Sequence, residues 1–140
     1  MAKKSQIGMQ GVYLVAAELT SLGFIVSLTS RSAFGADLLV TDQLCRKSWS
    51  VQVKTTTVTM SVWHVGEHAR KIKSPTHVYV FVKLKEKDRP EYYVVPSEFV
   101  AKKTYEFNTK NATWYSFDRS DAKPFLEGWT KVFGRCRSSV

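Results

Sequence analysis

The 140-residue chain has only two cysteines, Cys45 and Cys136. They are too few and too far apart for a zinc framework or a disulfide scaffold. A reduced, cytoplasmic protein is therefore expected. No apolar run approaches the ~18 residues that a membrane-spanning helix needs. The opening MAKKSQIGMQG has two lysines but no apolar segment, so a secretory signal is not expected there. No internal repeat, low-complexity tract or Pro/Gly/Ser-rich linker divides the sequence, and one continuous domain over residues 1–140 is expected. Acidic residues are in the minority, 12 against 21 Lys and Arg, for a net charge of +9. That excess favours a polyanionic partner, of which nucleic acid is the commonest. What the chain does have is apolar material, 44% hydrophobic and 13% aromatic residues. This composition excludes a disordered chain and suffices for a hydrophobic core without covalent staples.

The apolar pattern reads as an α/β chain. Val12, Val15, Ala16 and Leu19 recur at helical spacing within a helix over Ile7–Leu22, which Gly23 stops. Strands follow at Phe24–Leu28, Asp37–Thr41 and Trp49–Thr55. In the third strand Trp49, Val51 and Val53 face one way and Ser50, Gln52 and Lys54 the other. A short strand at Val62–Val65 and a short helix over Glu67–Ile72 are expected next. His77–Leu84 is apolar on both faces and so reads as a central strand. A turn at EKDRP then forms a hairpin with Glu91–Val95. Ser97 is expected to cap the next helix. Trp114–Phe117 is a further strand, and Ser120 or Asp121 caps a final helix with Phe125, Leu126, Trp129 and Val132 as its buried stripe. The order implies a mixed sheet with helices packed on it.

Three polar residues are out of keeping with this apolar framework. Gln52 and Lys54 sit two apart on one strand face, bracketed by valines, where polar groups are costly to bury without a reason. If the second and third strands pair around the Asp42–Ser48 turn, Asp37 lies beside them. A carboxylate, an amide oxygen and a lysine are the parts that phosphodiester hydrolysis requires. Hard divalent cations take oxygen ligands, and an ammonium steadies the charge that develops on the phosphate. Each residue alone also has an ordinary structural reading: Asp37 as a turn residue, Gln52 as a sheet-face amide, Lys54 as a charge reaching past the strand end.

The run G-A-D-L-L-V (35–40), followed about a dozen residues on by V-Q-V-K-T (51–55) and preceded by a helix with Ala17-Glu18-Leu19, resembles the PD-(D/E)XK nuclease superfamily. That superfamily includes archaeal Holliday-junction resolvases, many restriction enzymes and methylation-dependent type IV restriction enzymes. The resemblance covers roughly the first 55 residues, and His77–Leu84 suits the α-β-β-β-α-β core that it implies. It implies a restriction-endonuclease-like mixed β-sheet flanked by helices, with a C-terminal strand and helix added. It further implies that Asp37, Gln52 and the Val53 carbonyl hold Mg²⁺ or Mn²⁺, that Lys54 is the catalytic lysine, and that Glu18 is the helix-borne acid some members add. Two residues depart from the motif. Ala36 stands where Pro is common, and Gln52 replaces a carboxylate, which removes one negative charge from the metal site. The implied activity is a metal-dependent DNA endonuclease acting as a homodimer, without membrane or small-molecule cofactor. The alternative is a catalytically inactive member that binds nucleic acid or serves in a defence or repair complex.

Other motifs compete with this one. His64-Val65-Gly66-Glu67-His68 matches the H-x-x-E-H pattern of zinc peptidases. That chemistry needs both histidines one turn apart on one helix, whereas Gly66 and the flanking valines favour extended chain. Among the basic clusters, Arg31 before Asp37, and Arg70, Lys71 and Lys73 after the third strand, are the best candidates for phosphate contacts. Trp63 and Trp114 are candidates for stacking on bases.

Overall fold

The computed structural model describes residues 3–30 and 34–136. In chain order its elements are α1 (Lys4–Ser21), β1 (Ile25–Leu28), β2 (Leu38–Thr41), β3 (Ser48–Thr56) and β4 (Val62–Val65). A 3-10 turn (Glu67–Arg70), β5 (His77–Lys83), β6 (Glu91–Pro96) and α2 (Ser97–Lys103) follow. The chain continues through β7 (Tyr105–Asn108), β8 (Thr113–Asp118), α3 (Arg119–Ala122) and α4 (Trp129–Phe133).

The alternation of valines and polar residues in β3 places that strand at the centre of a five-stranded sheet of order β1-β2-β3-β5-β6. β2 pairs with it antiparallel around the Asp42–Lys47 turn, with Leu38 opposite Val51. β5 pairs with it parallel, with Gln52 opposite Tyr79 and Lys54 opposite Phe81. A parallel neighbour needs a crossover, and residues 57–76 supply it. This crossover contains β4, which leaves the main sheet to form a second sheet of order β4-β8-β7.

The main sheet is covered on both faces. Val12, Val15 and Leu19 of α1 pack with Trp49, Val51 and Val53, joined by Trp129 and Phe133 of α4. On the other face Tyr79 and Phe81 meet Trp63, Val65 and Phe117 of the small sheet and Val100 of α2. Each such apolar side chain contributes roughly 1.5–3 kcal/mol by leaving water. β5 lies between the two clusters and is buried along its whole length, as its unbroken apolar run requires.

Three expectations from the pattern are corrected. Pro96, not Ser97, occupies the N-cap of α2, and the Ser97 hydroxyl is instead tied to Ser74, donating to its carbonyl at 2.8 Å. The final helix is broken, because Pro124 lies in a 3-10 turn (Lys123–Phe125) and Gly128 precedes a separate α4. Leu126 is consequently half exposed rather than part of a buried stripe. β7 is an addition to the expected elements: Tyr105 and Phe107 alternate with Glu106 and Asn108, but all four residues are exposed, so the pattern packs against no core.

Close approach of α1 to β3 depends on Gly11. A Cβ there would lie 1.8 Å from Thr55 Oγ1 and 3.0 Å from Thr55 Cβ. Thr55 is short and stiff at χ1, so it cannot swing clear. Gly11→Ala is expected to destabilise the fold by about 1–2 kcal/mol despite its better helix propensity. In a Thr55→Ala background, which removes Oγ1 and Cγ2 but keeps the Cβ at 3.0 Å, the same change is expected to cost less. Denaturant unfolding of the two single variants and the double variant measures this coupling.

Candidate active site

Asp37 stands immediately before β2 and is pinned through its backbone. Its N–H donates to the Val51 carbonyl at 2.8 Å, and its carbonyl accepts from the Thr29 N–H at 3.0 Å. The turn into this position passes through Gly35 at φ +78, a left-handed conformation that disfavours side chains. β2 begins only at Leu38. The Val53 N–H, which faces the β2 side of β3, donates instead to Asp37 Oδ2 at 2.8 Å. By strand geometry the Val53 carbonyl turns to the same side. Gln52 Nε2 donates to the same Asp37 oxygen at 2.9 Å. A carboxylate only accepts, so the amide faces it with its nitrogen and Gln52 Oε1 turns elsewhere.

Asp37, Gln52, Val53 and Lys54 meet in a cleft of about 660 Å³, together with Lys4 from the first turn of α1 and His64 from β4. Burial lowers the Lys54 pKa below the usual lysine value; the Asp37 charge opposes that shift and Lys4 adds to it. The cleft therefore combines one carboxylate with two ammonium groups. Sequence reasoning missed Lys4. Its only signal was its place at the start of a helix whose first turns, the residues around Gly8, approach the end of β3.

Two other histidines, His68 and His77, lie outside the cleft lining. Ser50 Oγ and His77 Nδ1 are 2.7 Å apart, as the pairing of these two residues across β3 and β5 dictates. The His68 ring folds back over Gly66, where a Cβ would come within 2.4 Å of it, and packs against Phe34 at 4.9 Å. Nε2 of both histidines is buried without a hydrogen-bond partner among the described residues. Burial lowers both pKa values from 6.5; the Lys54 charge adds to the shift at His68, and His68 adds to that at His77. A base whose folded pKa is depressed contributes stability that is present above its unfolded pKa and lost as pH falls through the folded value. The thermal midpoint is therefore expected to drop as pH falls below 6.5. His77→Asn is expected to flatten that dependence in melts run between about pH 5 and 7.5.

The structure does not bring Glu18 to the cleft. α1 meets the cleft through its first turns, and Glu18 lies ten residues beyond Gly8, about 15 Å along the helix. Glu18 pairs with Arg89 at 2.7 Å, and Arg89 also holds Glu127 at 3.1 Å. The expectation of a helix-borne acid in the site is corrected accordingly, because that carboxylate serves an ion-pair network at the other end of α1.

Arg31 lies outside the described residues. Arg70 stacks over Tyr115 at 6.0 Å, Lys71 pairs with Glu67 at 3.2 Å, and Lys73 is exposed. None of these three lines the cleft. The zinc-peptidase pattern does not form, since His64 is on β4 and His68 in the 3-10 turn that follows. Among the described residues no three His, Cys, Asp or Glu side chains group to hold a metal. Lys83 is buried and donates to the Val58 and Met60 carbonyls, holding the loop beside the cleft. Trp63 belongs to the core, its indole N–H donating to the Val82 carbonyl at 3.0 Å.

No protein-family profile and no curated protein matches the sequence. Solved structures do match in three dimensions. A bacterial homing endonuclease, I-Ssp6803I, superposes with a TM-score of 0.63 at 13% identity, covering 97% of this chain and 95% of its own. The Holliday junction resolvase Hjc of Archaeoglobus fulgidus, an archaeal hyperthermophile, superposes with a TM-score of 0.55 at 14% identity, covering 94% and 98%. The chain therefore shares the restriction-endonuclease-like fold of these structures.

Proposed function

We propose that this protein is a metal-dependent DNA endonuclease that hydrolyses phosphodiester bonds. The observation that carries the reading is the convergence of Asp37, Gln52, Val53 and Lys54 in one cleft of a nuclease-like fold. The available donors are the Asp37 carboxylate and the Val53 carbonyl, which Gln52 Oε1 joins only on rotation of its amide away from Asp37; all are hard oxygens that suit Mg²⁺ or Mn²⁺ better than a soft metal. A single carboxylate is at the low end of what Mg²⁺ accepts, so such a cation would draw its remaining donors from water and substrate phosphate. When bound it supplies Lewis-acid polarisation of the phosphoryl oxygen and a nucleophile of lowered pKa. The chain's own groups do the rest. Val53 N–H and Gln52 Nε2 hold the Asp37 carboxylate in orientation. Lys54 places an ammonium where negative charge develops on the phosphate, and Lys4 lies at the same cleft to attract the backbone.

Cutting both strands of a duplex needs two such sites, so a homodimer belongs to this reading. The rival reading, a nucleic-acid-binding protein without catalysis, is favoured by one observation: the second acid that the site lacks at Gln52 is not supplied by Glu18. Incubation of duplex, branched and single-stranded DNA with Mn²⁺ separates the two. Cleavage that requires Mn²⁺ is expected. Salt-dependent binding with no cleavage of any substrate would establish the rival instead.

A further inference from the structure

The small sheet has two unlike faces. Trp63, Val65 and Phe117 on one face are core. Residues paired across neighbouring strands share a face. The pairs Phe107 with Trp114, Tyr105 with Ser116, and His64 with Ser116 therefore place Tyr105, Phe107, Trp114 and His64 together on the opposite face. Tyr105, Phe107 and Trp114 are 40%, 57% and 41% exposed. The His64 ring lies 5.0 Å from that of Trp114, and its Nδ1 is 3.1 Å from Ser116 Oγ, which fixes the imidazole. His64 and Val62, on the same face, also line the cleft that holds Asp37 and Lys54. The aromatic face is thus continuous with the candidate active site.

Three large aromatic side chains on one uncovered sheet face mark a binding surface rather than scattered exposure. Its setting indicates the ligand. The face adjoins a cleft with two ammonium groups, and exposed Lys102, Lys103 and Lys110 flank β7. Flat apolar rings among cations are what unpaired nucleobases on a phosphate backbone require. Bases stack on the rings, and lysines follow the phosphates. A continuous duplex offers no free base faces to such a surface.

We propose that the Tyr105–Phe107–Trp114 face binds unpaired bases of a strand leading into the cleft. The substrate class is then DNA with a single-stranded segment beside the cleavage point. The proposal rests on the nuclease reading for its placement of the scissile phosphate, but its test is a binding measurement made without metal and so independent of cleavage.

Trp49, Trp63 and Trp129 are buried, so Trp114 is the tryptophan placed to report a ligand. In chelator, oligo-dT is expected to quench tryptophan fluorescence, while a blunt duplex of equal length is expected to quench it weakly. By fluorescence anisotropy of end-labelled DNA, which does not depend on Trp114, a Trp114→Ala, Phe107→Ala double variant is expected to lose about 10- to 100-fold in oligo-dT affinity and less than about 2-fold in duplex affinity. Trp114→Phe, which keeps a stacking ring, is expected to retain oligo-dT affinity within a few fold and controls for folding. Unchanged oligo-dT affinity in the double variant would overturn the proposal, as would equal losses for both ligands. So would conversion of a dimer to a monomer with oligo-dT binding intact, since that assigns the face to a second copy of the chain. If no DNA is cleaved in Mn²⁺ but the selective loss is found, the nuclease reading fails and the aromatic site stands. Cleavage without the selective loss gives the reverse.

Discussion

Asp37→Ala and Lys54→Ala are each expected to reduce DNA cleavage by about 10²–10³-fold, while Asp37→Ala and Lys54→Met are expected to change stability in opposite directions. Asp37 Oδ2 is the acceptor for two donors, Gln52 Nε2 at 2.9 Å and the Val53 N–H at 2.8 Å. Removing it leaves both buried without that partner, at roughly 1–3 kcal/mol for each. The same change removes the charge that supports the Lys54 ammonium, so the lysine pKa falls further. Lys54 is the reverse case. Burial is the largest influence on it and acts against its charged form. Replacement by an apolar residue of similar length, Lys54→Met, relieves that cost and is expected to raise the thermal midpoint while abolishing activity. A functional group held at a structural cost has this signature. Thermal melts and cleavage rates on the same three proteins check it. Full cleavage in both Asp37→Ala and Lys54→Ala would remove these residues from the reaction.

Gln52→Glu is expected to make the fold metal-dependent. In chelator the new carboxylate replaces an amide nitrogen 2.9 Å from Asp37 Oδ2, exchanging a hydrogen bond for like charges in contact. The loss of a hydrogen bond to a charged group alone costs about 1.5–3 kcal/mol. Like charges at this separation raise one of the two carboxyl pKa values. An acid with a raised folded pKa binds more protons folded than unfolded, so the deficit appears as pH rises through that pKa and vanishes below it. Mg²⁺ or Mn²⁺ reverses the balance, because the second carboxylate adds a ligand and cancels charge. At a metal concentration about 100 times the dissociation constant, binding to the folded state alone stabilises by about 2.7 kcal/mol. The variant is therefore expected to melt below the wild type in chelator and to show the larger upward shift in Mg²⁺. Equal metal shifts in the two proteins would show that position 52 does not face a cation.

Much of this was legible before any coordinates. Strand alternation from Trp49 to Lys54 placed Gln52 and Lys54 on one face, and the short Asp42–Lys47 turn brought Asp37 to their side, because hairpin pairing is local and its periodicity is written in the chain. The doubly apolar run of β5 announced a strand buried between two layers for the same reason. Both readings depend only on residues close in sequence.

The remaining features depend on residues far apart in sequence, and tertiary packing decided them. Glu18 shares its helix with Lys4, yet the crossing of α1 over β3, set where Gly11 admits Thr55, delivers the lysine to the cleft and leaves the glutamate with Arg89. Trp63 and Trp114 are alike as sequence, but the packing of the small sheet buries the first against Phe81 and turns the second outward beside His64. β7 carries Tyr105 and Phe107 on one face, but that face is exposed, and the strand is held by its pairing with β8. The sequence by itself determined the trio of Asp37, Gln52 and Lys54, through local strand geometry. Only the tertiary structure, through the angle at which helix and second sheet cross the first, decided which other side chains share their cleft.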